Sequence, residues 1–373
     1  MRPQMTLVLF LAVFVMLSVL NADEIQPLTI GEAAPHFKLP AADGKQYALD
    51  DFNGDILVLI FTANHCPTAQ AYEDKIIKLV DEYKNQSVSI VAISPNDPAA
   101  VALEELGYSD LGDSFADMKL RAAWKKYNFP YLYDGETQET AKKYGPQATP
   151  HVFIFDQKRK LQYQGRFDDT ENPFIEPKQA DVRRTLEALL TGQKPPVQQT
   201  KVFGCSIKWA NKAQWVAQLT ADWESKPVEV NPIDLPQIQS LIKNDSGKFR
   251  LINVWATWCG PCVIEFPELI RIHRMYQGRR FELVTLSADK AAAGAQVKEF
   301  LQKQHAAVKN YHAIAPDVYQ LIDAVDKEWP GALPHTLLIA PDGRIVYRHT
   351  GIIDPLELKR AIIDQLGRYY AND

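Results

Sequence analysis

Short, wholly apolar runs alternate along this chain with longer stretches in which apolar residues recur every three to four positions. Residues 55–62 (DILVLIFT) predict a buried strand. Cys66-Pro67 then opens a helix whose apolar positions are Tyr72, Ile76, Ile77, Leu79, Val80 and Tyr83. Residues 88–94 predict a second strand, 116–127 and 137–144 helices, 151–156 and 161–165 strands, and 180–190 a closing helix. The order then repeats: strand 249–256, a helix over 262–276, strand 281–287 and helices 297–305 and 319–325. A strand after Pro334, another over 344–348 and a helix over 355–369 complete it. Apolar runs without alternation fit strands covered on both faces, so the pattern predicts α/β units built on mixed sheets.

The polar, Pro-rich stretch 192–200 has no apolar period and reads as a boundary. The expected organisation is a targeting segment at 1–22, a first domain at 28–192, a connecting region at 193–227 and a second domain at 228–373. Within the connecting region, Trp209, Ala213, Val216, Leu219 and Trp223 fall at helical spacing. They predict an amphipathic helix that packs within the chain. Pro150-His151 and Pro334-His335, each just before an apolar strand, are the sharpest mark of the repeat.

Composition adds little: 373 residues suit about two domains, and 46% hydrophobic with 23% charged residues is ordinary for globular proteins. The net charge of −5, without a basic run, excludes nucleic acid as the expected partner. At the N-terminus Arg2 precedes the apolar stretch Thr6–Leu20, which is shorter than the roughly 20 residues a membrane helix needs. It reads as a secretory signal peptide cut near Ala22, with an uncleaved membrane anchor as the alternative. Either places the body in a periplasmic or other extracytoplasmic space, where disulfides persist.

The chemistry concentrates in Trp258-Cys259-Gly260-Pro261-Cys262, between a strand and a helix. A thiol at a helix N-terminus faces backbone N–H groups that favour the thiolate, and a pKa there falls to roughly 3.5–7.5 from about 8.5. Only the thiolate attacks a disulfide, so the pair predicts redox exchange. Zinc would need a second ligand pair that is missing, so no metal and no cofactor are expected. Cys66 and Cys205 stand apart from this motif.

With WCGPC after a strand and a later proline before another, the second half resembles thioredoxin, and within that group the secreted TlpA/ResA-type thiol–disulfide oxidoreductases. The resemblance makes Cys259 the attacking cysteine, Cys262 the resolving one, Pro334 a cis-proline beside the disulfide and Pro267 a helix-kinking proline. Trp258, Gly260, Pro261 and Leu333 are then the surface that meets a substrate, and Pro150 its counterpart in the first half. Asn253 stands where thioredoxin carries a buried aspartate. Glu265 matches a glutamate that assists thiol proton transfer in the ResA-like branch; its other reading is a first-turn acid that complements the helix dipole.

The first half is similar to the redoxin (AhpC/TSA, peroxiredoxin-like) families. The resemblance rests on residues 34–44, Asn64-His65-Cys66-Pro67, Asn96-Asp97-Pro98, residues 165–169 and Gly204-Cys205-Ser206-Ile207-Lys208-Trp209. Ala63 occupies a position where one redoxin subgroup has a cysteine, so this half has no local Cys-x-x-Cys. Together the two resemblances imply an α/β fold of two tandem thioredoxin-like domains, each a mixed sheet flanked by helices.

Cys66 keeps three readings: a peroxidatic thiol, a disulfide partner of Cys205, or an inert thiol. In the chain-entropy model so long a loop, once closed, would add roughly 4–5 kcal/mol of stability. Arg166 is a candidate activating cation for Cys66. His65 and His151 would tune Cys66, and His335 Cys259, only if protonated and close. An ordinary polar role is the default for each histidine.

The expected function is reduction of protein disulfides through Cys259 and Cys262, with an upstream thiol donor, such as a membrane electron-transfer protein, restoring the dithiol. One alternative is a fused thiol peroxidase, an antioxidant activity in which Cys66 reduces peroxide and Cys259/Cys262 recycles it. Another makes the first half a non-catalytic client-docking module.

Overall fold

The computed structural model describes residues 25–315 and 317–370. The segment read as a signal peptide or anchor lies outside them. Among the described residues no helix is long and apolar enough to cross a membrane.

The first half begins with a hairpin of β1 (Lys38–Pro40) and β2 (Gln46–Ala48), followed by β3 (Ile56–Phe61), α1 (Pro67–Tyr83) and β4 (Val88–Ser94). Then come α2 (Phe115–Lys125), β5 (Tyr131–Tyr133), α3 (Glu139–Tyr144), β6 (His151–Phe155), β7 (Leu161–Gly165) and α4 (Asp181–Leu190). After α5 (Ala213–Glu224) the second half runs β8 (Asn231–Ile233), α6 (Leu235–Lys243), β9 (Phe249–Trp255), α7 (Gly260–Tyr276) and β10 (Phe281–Ser287). It ends with α8 (Gly294–Lys303), β11 (Lys309–Ala313), α9 (Val318–Val325), β12 (His335–Ile339), β13 (Ile345–Thr350) and α10 (Pro355–Leu366).

Two sheets carry the core, ordered β5-β4-β3-β6-β7 and β13-β12-β9-β10-β11-β8. In each, the central strand (β3 or β9) pairs parallel on one side and antiparallel on the other. The halves therefore share one plan, with β8 as an added edge strand. Pro232 in β8 fits that edge, where a missing N–H costs no ladder bond.

Two-residue periodicity explains why the central strands are buried on both faces. Ile56, Val58 and Ile60 enter one core cluster, and Leu57, Leu59 and Phe61 enter the cluster on the other face. In β9, Leu251 and Trp255 face one layer while Ile252 and Val254 face the other. Burying each such side chain contributes about 1.5–3 kcal/mol.

The halves are packed together. Leu106 enters the core of the second half. The Tyr276 hydroxyl donates to Ser109 O at 2.8 Å. Asp110, wholly buried, pairs with Arg121 (3.3 Å) from its own half and with Arg360 (3.1 Å) and Arg368 from the other. The same three guanidiniums lie 4.8–5.1 Å from the Trp124 ring centre. Trp223 of α5 is buried and donates its indole N–H to His305 O, so this helix packs within the chain.

Candidate functional site

Cys259 lies four positions past the end of β9, where it caps α7, and its Sγ accepts the Cys262 N–H at 3.3 Å. The two cysteines are disulfide-bonded. Cys262 is fully buried and Cys259 is 6% exposed, so the first sulfur is the one nearer solvent. Beside them Trp258 is 71% exposed. With Leu333, Val318 and Trp329 it lines a cavity of about 420 Å³. The Leu333–Pro334 bond is cis. Gly260 and Pro261 are exposed on the rim of the same turn.

Behind the disulfide, Trp255 packs on Phe266 and Phe300 at centroid distances of 5.0 and 4.7 Å. Glu265, one turn beyond Cys262, is only 3% exposed. Its carboxylate accepts Asn253 Nδ2 at 2.8 Å and the Ile353 N–H at 2.9 Å. Burial nevertheless dominates and pushes its pKa up. His335 is engaged elsewhere: it stacks on Trp329 and meets Thr350 Oγ1 (2.8 Å) and Asp326 (3.3 Å). Burial lowers its pKa, which favours a neutral ring.

Cys66 occupies the matching place in the first half, capping α1 and accepting the Ala69 N–H at 3.4 Å. Its sulfur lies 3.1 Å from Thr149 O, beside the cis Thr149–Pro150 bond. Cys66 and Cys205 are both free thiols, and the half-buried Cys205 packs against the cluster of Ala63, Cys66 and Ala69. Pro150, expected to meet substrate, is buried instead, because the chain around Gly204 covers it.

His65 Nδ1 donates to Asp113 Oδ2 at 2.5 Å, and Asp113 also accepts the backbone N–H groups of Asn64 and His65 and the amide of Asn96. Burial disfavours the imidazolium, but the charge and hydrogen bond of Asp113 outweigh it and raise the His65 pKa. Burial likewise pushes the Cys66 thiol up. A hydrogen bond from Cys205, then the His65 charge, outweigh that and bring it down to about 6.

One cation and one ring named from the sequence do other work. Arg166 pairs with Asp181 at 2.7 Å. His151 is buried, accepts the Gln147 N–H and is held near pKa 3 by desolvation, so it brings no charge to Cys66. The residue that sequence reading missed is Asp113, which reaches His65 from a loop 48 positions away. No local pattern joins them.

A strand-to-helix turn carrying a cysteine pair on a mixed sheet, with a cis-proline ahead of a neighbouring strand, defines a thiol-redox protein of the thioredoxin-like class; the first half repeats the plan with Cys66 alone at its turn. The model of the AhpC/TSA family matches residues 30–164 and 216–348, and the chain belongs to that family. It is similar to the thiol-disulfide oxidoreductase ResA of Bacillus subtilis, 30% identical over 105 residues; the match covers 28% of this chain and 54% of that protein. ResA of Halalkalibacterium halodurans is 34% identical over 106 residues, covering 28% of this chain and 55% of the relative. The chain thus spans about half the length of these relatives. Among solved structures, an uncharacterized conserved protein of Geobacillus kaustophilus shares 38% identity. That match has a TM-score of 0.43 and covers 48% of this chain and 92% of the other.

Proposed function

We propose that this chain is an extracytoplasmic thiol–disulfide oxidoreductase that reduces protein disulfides through Cys259 and Cys262. The observation that carries the reading is the asymmetry of the pair. Cys259 sits at the helix N-cap next to Trp258, which lines an open, largely apolar cavity, and Cys262 is sealed beneath it.

In the reduced protein the Cys259 thiolate, favoured by the N-terminus of α7, attacks one sulfur of a client disulfide. A mixed disulfide forms and the client's other sulfur departs as a thiolate. Cys262 gives its proton toward Glu265 and attacks Cys259 Sγ. The second client sulfur leaves, and the Cys259–Cys262 bond closes. Two electrons have passed to the client, and an upstream dithiol must return them. Trp258 and Leu333 supply apolar contact for the client segment, and Pro334 fixes the backbone beside the sulfur. The apolar N-terminal segment supports an extracytoplasmic site of action.

The test is reduction of insulin disulfides by the full chain. The wild type should turn over with a dithiol donor. Cys259→Ser should be inactive, and Cys262→Ser should accumulate a mixed disulfide on Cys259. Equal activity of all three proteins would refute the reading.

A further inference from the structure

In the second half the residue before the cis-proline, Leu333, borders an open cavity. In the first half the chain covers that position itself. The Thr149 N–H donates to Cys205 O at 2.9 Å, and the two residues form an antiparallel bridge. Gly204 lies so close that a Cβ there would sit 2.0 Å from Thr149 O and 3.5 Å from Pro150 Cδ.

The covering segment is anchored on both sides. Gln164 N–H donates to Gln198 O at 3.0 Å and Thr200 N–H to Gln164 O at 3.1 Å. Downstream, Lys208 N–H donates to Asn96 Oδ1 at 2.9 Å, and Gln138 Nε2 donates to Lys208 O at 2.9 Å. These contacts hold Cys205 against the Cys66 cluster. Two sulfurs 139 positions apart, by subtraction, are brought together by built backbone pairing rather than by chance proximity.

We propose that Cys66 and Cys205 form a second, self-contained redox couple, with the chain docking its own cysteine at the cis-proline loop of the first half. Cys205, half-exposed, is the sulfur that meets an external disulfide; Cys66, fully buried, closes the internal bond. His65 stands beside them, with Nδ1 committed to Asp113 and a buried Nε2 that has no partner among the described residues. The two thiols share one proton: the hydrogen bond between them raises the Cys205 pKa and lowers that of Cys66. A low-pKa sulfur is also the better leaving group when the couple is reduced again.

The chemistry balances with a protein or small-molecule disulfide, RSSR, as oxidant. Cys205 passes its proton to the Cys66 thiolate and attacks one sulfur as the thiolate; the departing RS⁻ then takes that proton from Cys66. The Cys66 thiolate then attacks Cys205 Sγ, the Cys205–SR bond breaks, and the second RS⁻ takes a proton from water. Two cysteine sulfurs are oxidised and one external disulfide is reduced. The reverse sequence, starting with thiolate attack on Cys205, reduces the couple.

The test uses the full chain carrying Cys259→Ser/Cys262→Ser, so its outcome is independent of whether that pair exchanges. Oxidised glutathione is the probe, read by intact mass and peptide mapping. The expected result is loss of two hydrogens with a linked Cys66–Cys205 peptide. With Cys66→Ser added, one glutathione should be trapped on Cys205. The same linked peptide should be recovered from wild-type protein, which guards against misfolded variants. Two thiols that both stay open to alkylation, or glutathione on Cys66 in a Cys205→Ser variant and none on Cys205 in the Cys66→Ser variant, would overturn the proposal.

Discussion

Thr149 holds Cys205 by its backbone: its N–H donates to Cys205 O at 2.9 Å across an antiparallel bridge, while its own carbonyl lies 3.1 Å from Cys66 Sγ. One residue therefore positions both free thiols of the first half. The contact is close enough that Gly204, at φ +132°, has no room for a side chain.

Gly204→Ala should break this arrangement. The added methyl meets Thr149 O at 2.0 Å in a backbone conformation that L-residues avoid. Strain of this kind costs about 1–3 kcal/mol, and here a clash with backbone adds to it. Urea unfolding should show the loss, and alkylation of Cys66 should accelerate as the covering segment lifts. Unchanged stability and unchanged protection of Cys66 would contradict the close packing.

Asp110 is an electrostatic tie between the halves. Removing one partner of a buried ion pair costs about 3–5 kcal/mol, because the remaining charge is left unpaired. Asp110→Asn should destabilise by that order near neutral pH. Burial raises the Asp110 pKa, but Arg368 above all, with Arg121 and Arg360, outweighs it and holds the carboxyl below 3.8. Its stabilisation is therefore fully present above about pH 4 and is lost as pH falls through the lower folded value. The variant should lack that part of the acid limb, which unfolding curves at pH 7 and below pH 4 would compare.

Glu265→Gln should slow resolution of the mixed disulfide by about 100-fold, the lower range for loss of a proton-transfer group. Capture of the client by Cys259 should be little changed, so rapid-quench kinetics would show the intermediate accumulating. Stability has the opposite pH sign from Asp110. Burial raises the Glu265 pKa above 4.5, so its contribution is present below that value and declines as pH rises through the folded pKa. Glu265→Gln should flatten that decline.

Asp113→Asn should weaken the Cys66 thiolate. Without the carboxylate, desolvation leaves the His65 ring neutral, and one of the charges that brings Cys66 down to about 6 disappears. The thiolate absorbance of the Cys259→Ser/Cys262→Ser chain should then titrate at higher pH. The loss of Asp113's hydrogen bonds to Asn64, His65 and Asn96 should also lower stability.

Much of the fold was legible because β3, β4, β9 and β10 are mainly apolar runs bounded by turns. The expected strand over 88–94 coincides with β4 and that over 281–287 with β10. Short or polar strands escaped notice: β5 and β8, at sheet edges, are three residues long, and β11 (KNYHA), between β10 and β8, is polar. The Cys259–Cys262 pair could be read because its chemistry is local. The surroundings of Cys66 could not, because Asp113, Thr149 and Cys205 reach it from separate loops. Gly204-Cys205 was visible as a motif, but only the bridge to Thr149 gives that glycine a physical reason.

The most direct test of the central claim is the reduction potential of the Cys259–Cys262 pair in glutathione or dithiothreitol redox buffers. A reductase of protein disulfides should lie toward the reducing end, near the thioredoxin value of about −270 mV. A value near −120 mV, that of a strong disulfide oxidant, would contradict the assignment.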